Sequence, residues 1–422
     1  MDKLMMYRKI ATAAVVFTAL TSFILPASAQ VATRDSVAGM TEQQVIQAFM
    51  RHQRMQQWLD SQKSAIDAER QGAALLSNPE AEIVYEPMTF DDGSEENETA
   101  IWLTQRFAAW GARAHRQQAA DYKALAESAD MQIKVRDQLT GLRLDLYHLK
   151  LLQARYFAHQ QWVEQLAGLV SMSEQQVAAG EQSKLAHFRL QQELSAARLT
   201  LIDIEQQVIG KSAELEQVTG MAIVDIAEPL LPAHLNHETL NTLSPPTETP
   251  ELRLLSAQQK QLEAQGAAAR SKALPEVSVG VGLRQIDNSQ GSHSEAAFQV
   301  GVELPLFERG QYQSARYEQL LSAVAIEHER ARQALLQRFG MVKGQLKAAL
   351  AGVKQAQLPN VDTMLKTATE AYWLGEISVS ELIDIQSTQI ELSEQQLTQE
   401  FAARKYWITL QALLQQPMEN LR

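Results

Sequence analysis

Between Ala112 and Thr219 the chain contains no proline and few glycines, and its apolar residues return at alternating spacings of three and four. Val135, Leu139, Leu142, Leu146 and Leu149 form one such stripe, and Leu190, Leu194, Ala197, Leu201, Ile204 and Val208 form another, the pattern of helices that bury one edge. Leu144, Leu151 and Leu152 lie off the first stripe. A helix with two apolar edges takes a neighbour on each side, like a stave in a wall. Continuous from Gly111 to Gly180, the first helix would be about 100 Å long at ~1.5 Å per residue, more than an ordinary globular core can cover.

The plan recurs in the second half. A long helical segment is expected from about Gln311 to Leu374, where Pro359 should kink or break it, and a closing helix should run to about Gln416. Between them, LGEISVSELIDIQ at 374–386 matches the punctuation of AGEQSKLAHFRLQ at 179–191. A reversal between helices favours a residue that tolerates positive φ, so Gly180 and Gly375 mark two turns. Ser183 and Ser378 follow at the same offset and can cap the returning helices. Residues 41–78 also read as helix, opened by a Thr41–Gln44 capping box. Pro229, Pro232, Pro245, Pro246 and Pro250 mark an irregular stretch before helix resumes near Glu251. The expected organisation is a first repeat at about 41–220, a linker at 221–250 and a second repeat at about 251–416.

Each repeat contains one window of alternation. Val277, Val279, Val281 and Leu283 alternate with Ser278, Gly280, Gly282 and Arg284. After the loop IDNSQGSHS, the positions Phe298, Val300, Val302 and Leu304 alternate with Gln299, Gly301 and Glu303. These are strands with one apolar face. The earlier pair, AEIVYEPM and AIWLTQRF around the acidic loop Asp91–Glu98, alternates less cleanly, and Pro87 points to an irregular end or an edge position.

Lys3, Arg8 and Lys9, an apolar run from Ile10 to Leu25, and then Pro26, Ala27, Ser28 and Ala29 have the layout of a secretory leader over 1–29. Its removal takes away Asp2 with the three cations and moves the net charge from −12 to −14. Cysteine is absent, so stability must come from packing and assembly. An acidic exported chain is a poor nucleic-acid binder. No later apolar run is long enough to span a bilayer as a helix, so membrane entry would have to use strands. Four strands with a lipid-compatible face cannot close a barrel, and an open edge in hydrocarbon costs several kcal/mol for each unpaired backbone group. Copies of the chain must share the wall. Three copies would supply twelve strands, although periodicity does not fix the number at three.

The order strand, loop, strand, long helix, glycine turn, helix, written twice, resembles the TolC-type outer-membrane factors, which are exit ducts of tripartite efflux pumps and type I secretion systems. The carrying segments are LLSNPEAEI, WGARAHR, PEVSVGVGLR, VELPLFERGQYQSAR and YWLGEISVSELIDIQ. WGARAHR and PLFERGQ are most similar to the cobalt-zinc-cadmium resistance type. The resemblance implies a mainly α fold with a small β part. In it, a homotrimer places a twelve-stranded barrel among outer-membrane lipid and extends a helical tunnel into the periplasm. It also implies a periplasmic adaptor protein and an inner-membrane transporter of the resistance-nodulation-division class as partners. The cargo would be heavy-metal cations, with drug efflux or protein secretion as alternatives. A trimeric adhesin with a helical stalk belongs to a different class, but it usually gathers its strands at one chain end.

In the family the helix turns meet the adaptor, so the resemblance assigns that contact to Gly180, Gln182, Ser183, Gly375, Ile377 and Ser378. Glu381 and Asp384 share a helix face, and the resemblance places them at the pore entrance. A symmetric ring of such acids attracts cations, and crowding should raise some of their pKa values. Tyr372 matches one partner of the family's closing latch. The position that should supply its acid is Ala186, with His187 beside it, so the closing contacts are expected to differ. His187 as a pH-sensitive substitute and His234-x-x-His237 with Glu238 as a zinc site are the weaker possibilities. Trp102, Trp110, Tyr312 and Tyr317 are candidate interface anchors, with core packing equally open for the two tyrosines. The sequence contains no nucleophile elbow, phosphate loop or ligand cluster of an enzyme, and neither a cofactor nor a metal is expected.

Overall fold

The computed structural model describes residues 39–414 except 92, 94, 109, 289 and 357–360, with the side chains of 237, 361 and 362 also left aside. The expected leader and Pro359 lie outside the described residues. The chain begins with α1 (Glu42–His52) and α2 (Met55–Ala73), then β1 (Glu80–Thr89) and β2 (Glu95–Phe107), then α3 (Ala112–Ala179) and α4 (Lys184–Thr219). A connecting stretch holds α5 (His237–Thr242). The second half follows with α6 (Pro250–Ser271), β3 (Glu276–Asn288), β4 (Gly291–Glu303), α7 (Gln311–Ala356), α8 (Val361–Trp373) and α9 (Val379–Leu414).

The helix starts follow local chemistry. Thr41 and Gln44 close a reciprocal capping box on α1. Thr249 caps α6, with Pro250 in its first turn. The stretch expected as helix over 41–78 forms two helices, because Arg54 takes a left-handed conformation, φ 49°, between α1 and α2. The first long helix is unbroken for 68 residues, which is about 100 Å at ~1.5 Å per residue.

α3 packs along α6, α4 and α9, and α7 along α6 and α9. No single central core results; buried side chains gather in clusters spaced along the helices. One joins Val45, Phe49, Leu142, Leu146 and Leu215. Another joins Trp162, Leu166, Leu190, Tyr372 and Leu382 near the helix reversals. The connecting stretch is tied down by a parallel bridge between Met40 and Ile226, and by the Glu228 carboxylate, which accepts the Glu42 N–H at 3.0 and 3.1 Å. Beside it, the Arg404 guanidinium lies 3.7 Å from the centre of the fully buried Tyr147 ring. Among the described residues no helix is long and apolar enough to cross a membrane.

The strands form one antiparallel sheet in the order β1-β2-β3-β4, so β2 and β3 join the two halves. Pro87 sits in β1, an edge strand within the chain, where a missing N–H is tolerated. Both hairpins are longer than the sequence suggested. Ladder pairing continues through Asn288↔Gly291 in the second hairpin, and Glu95–Glu98 of the expected acidic loop belong to β2. Cross-strand pairing outweighs the polar composition there.

The pairing register sorts the side chains onto two faces. One face carries Ile83, Ile101, Leu103, Val281, Phe298 and Val300, all exposed, with Phe298 at 81% and Ile83 at 74%. The other carries Gly280, Gly282 and Gly301 together with acids such as Glu82, Glu86, Glu98 and Glu295. Trp102 lies on this second face, over Gly282, where a Cβ would come within 2.7 Å of the indole ring. Trp102, a candidate interface anchor, is half-buried there, its ring filling the space left by the glycine. Trp110 and Tyr312 are exposed, while Tyr317 is half-buried.

Candidate functional site: two helix reversals and an acidic helix start

The two reversals share a backbone solution. Gly180 ends α3 at φ 79° and Gly375 follows α8 at φ 75°, values that only glycine adopts without strain. Neither has an atom within 4 Å of where a Cβ would stand, so conformation and not space demands glycine. Gly180 N–H donates to the Val177 carbonyl and Gly375 N–H to that of Tyr372.

The returning helices start differently. The Ser183 hydroxyl accepts the Leu185 N–H at 3.2 Å and acts alone. The Ser378 hydroxyl accepts the Glu381 N–H at 3.2 Å, while the Glu381 carboxylate accepts the Ser378 N–H at 2.7 Å. Glu381 is therefore one half of a capping box. These bonds from Ser378 hold its carboxyl below the usual carboxylate range, the opposite direction, within one chain, to the rise expected from crowding. The S-x-x-E spacing of Ser378 and Glu381 is the sequence signature of this box.

Glu381 and Asp384 are both exposed, on the side of α9 opposite the buried Val379, Leu382 and Gln386. Tyr372 is almost fully buried, and burial pushes its phenol pKa up. Its hydroxyl accepts a hydrogen bond from Gln182 Nε2, and the fully buried Ser173 donates to Gln182 Oε1 at 2.6 Å. Tyr372 thus bonds to Gln182 of the other hairpin, while Ala186 packs against the apolar cluster beside Tyr372. A second link runs from the Arg189 guanidinium to the Ser380 hydroxyl. No pattern in the sequence marked either link, because both join residues far apart in the chain.

Gly180, Ser183, Gly375 and Ser378 are exposed, whereas Gln182 and Ile377 are half-buried, Gln182 in the bonds to Ser173 and Tyr372 and Ile377 against the apolar cluster. Leu185, Phe188 and Leu374 stand exposed around the same reversals. His187 is half-buried beside Phe188. Further along the shaft, His159 of α3 pairs with Glu394 of α9 at 2.9 Å. His234 meets the Trp407 ring at 6.3 Å.

No protein-family model and no curated protein sequence matches this chain. Solved structures do match. CusC, studied for conformational changes accompanying folding and transmembrane channel formation, superposes with a TM-score of 0.69 at 14% identity, covering 89% of this chain and 92% of that one. The outer membrane protein VceC of Vibrio cholerae gives 0.69 at 13% identity, covering 88% and 96%. The open state of the Neisseria gonorrhoeae MtrE outer membrane channel gives 0.66 at 15% identity, covering 90% and 93%. The chain has the fold of these proteins.

Proposed function

We propose that the protein is the outer-membrane channel subunit of a tripartite efflux pump, a homotrimer in the manner of the TolC-type factors. The observation that carries this reading is the sheet. One face carries an exposed apolar band, from Ile83, Ile101 and Leu103 across Val281 and Leu283 to Phe298 and Val300, and β1 and β4 are each paired on one side only. In lipid those edges must be closed by further strands, and three copies close a twelve-stranded barrel. The helices then continue into the periplasm as a tunnel, and the apolar residues left on their outer edges, such as Leu199 and Ile209 of α4, meet neighbouring copies.

In this reading Glu381 and Asp384 ring the periplasmic entrance, and Tyr372 with Gln182 holds the hairpins together there. The six turn residues meet a periplasmic adaptor, and an inner-membrane transporter of the resistance-nodulation-division class supplies the energy. The cargo assigned is heavy-metal cations. This finer assignment is supported by the resemblance of WGARAHR and PLFERGQ to the metal-resistance type and by the exposed acids at the entrance.

Mass measurement of the detergent-extracted protein should give three chains per particle; a stable single chain would sink the proposal. Planar-bilayer conductance tests the entrance with Glu381→Gln and Asp384→Asn together. The amide of Gln keeps an acceptor for Ser378 N–H while removing charge. Cation preference and block by divalent ions should both fall. Growth of a deletion strain on zinc, cobalt and cadmium compared with antibiotics distinguishes metal from drug export.

A further inference from the structure

Two cavities of about 450 and 390 Å³ adjoin along one face of α3 and share Ser128 and Gln132. Their α3 lining recurs at spacings of three and four from Tyr122 to Arg143, which makes a groove about 30 Å long at ~1.5 Å per residue. The end nearer Arg143 is floored by Leu59, Met131, Val135, Leu139 and Ala412. The end nearer Tyr122 is walled by Arg253 and Lys260 of α6 and by His328 and Arg332 of α7.

The charge of this groove runs against that of the chain, whose net charge is −12. Six lysines and arginines line it against one acid, Glu248. Three of those cations are already matched, Arg136 by Glu251, Arg143 by Glu42 and Arg332 by Glu329. Of the other three, Lys63 lies at the apolar end, while Arg253 and Lys260 stand together at the opposite end with Glu248. Arg253 donates to Gln132 at 2.7 Å, and its Nε is buried without an acceptor. The Lys260 ammonium stands 5.8 Å from the centre of the Tyr122 ring. Two cations beside one carboxylate leave this end of the groove net positive, a charge that an anionic group offsets.

We propose that this groove binds a single-chain amphiphile with an anionic head. The head group lies between Arg253 and Lys260, accepting from the outer guanidinium N–H groups and the ammonium, and the alkyl chain passes Gln132 to cover the apolar floor. Cavities of this size suit small molecules, with a mostly apolar lining and a few placed polar groups. A phosphate on a lysolipid and the carboxylate of a fatty acid share the required chemistry. The inference stands apart from the channel reading, because it concerns a groove within one chain and is read by binding alone.

The test uses the full-length protein in nanodiscs of neutral phosphatidylcholine, with empty discs as the blank, and calorimetry with dodecyl phosphate, dodecanoate, dodecyl maltoside and inorganic phosphate. One dodecyl phosphate or dodecanoate per chain should bind, the tighter of the two identifying the head group, while the neutral amphiphile and inorganic phosphate should not. Arg253→Gln with Lys260→Gln should weaken binding about tenfold or more, the loss of roughly one charged contact. Gln132→Trp, at an exposed position shared by both cavities, should block the passage without changing charge. Equal binding of dodecyl maltoside, equal binding of inorganic phosphate, or unchanged affinity in both variants would overturn the assignment.

Discussion

The reversal at Gly180 and the reversal at Gly375 use the same backbone turn and differ in almost everything attached to it. The first follows an unbroken helix of 68 residues and is capped by a lone serine hydroxyl. The second follows the short α8 and is closed by a serine and a glutamate that cap each other. Polar anchors also divide between them: Gln182 and Arg189 come from the first side, and Tyr372 and Ser380 receive them from the second. A repeated chain can thus keep one geometry and place complementary chemistry on its two copies.

The two turns rest on one apolar cluster, so the largest effect should come from removing its shared floor. Leu382→Ala, at a fully buried site, should cost about 2–5 kcal/mol. Amide exchange should then speed up around Leu185 as well as around Ile377; a change confined to the second turn would show that the two are independent. Next in size, Gly180→Ala and Gly375→Ala should each cost about 1–2 kcal/mol, because both force an L residue into the left-handed region. Denaturant unfolding should find the two nearly equal, and a clear inequality would reveal a brace at one turn.

Cap removal should separate them. Ser183→Ala and Ser378→Ala should each cost about 1 kcal/mol, but only at the second turn should Glu381→Ala expose the Ser378 N–H to exchange. Acidification gives the smallest and most selective effect. The folded-state pKa of Glu381 is depressed, so its contribution is present above the ordinary carboxylate value and lost as pH falls through the lowered one. Protection of the Ser378 amide, taken relative to its intrinsic exchange rate at each pH, should fall over that window, while that of Leu185 should show no matching change.

The helices and turns were legible in the sequence because their causes are local. Apolar spacing named the long staves, glycine named both reversals, and Thr41 with Gln44 named the start of α1. Strand ends were less legible, since Glu95–Glu98 and Ile286–Asn288 read as loop by composition and are held by partners across the ladder. The break at Arg54 has no glycine or proline to announce it. At the reversals, Tyr372 and Gln182 were each singled out, but their bond joins positions 190 residues apart, and only folding brings them together. Glu381 carries two signals at once, an acid on a helix face and the fourth position of an S-x-x-E spacing, and only the folded turn shows that the second is satisfied.

The central β2–β3 ladder has a consequence for biogenesis. Its two strands are separated by all of α3 to α6, so the first hairpin must wait, with its apolar side chains unsheltered, until the second emerges from export. That waiting period is when such a chain is most prone to clump. A chaperone able to hold β1 and β2 during translocation would shorten the hazard without touching the finished sheet.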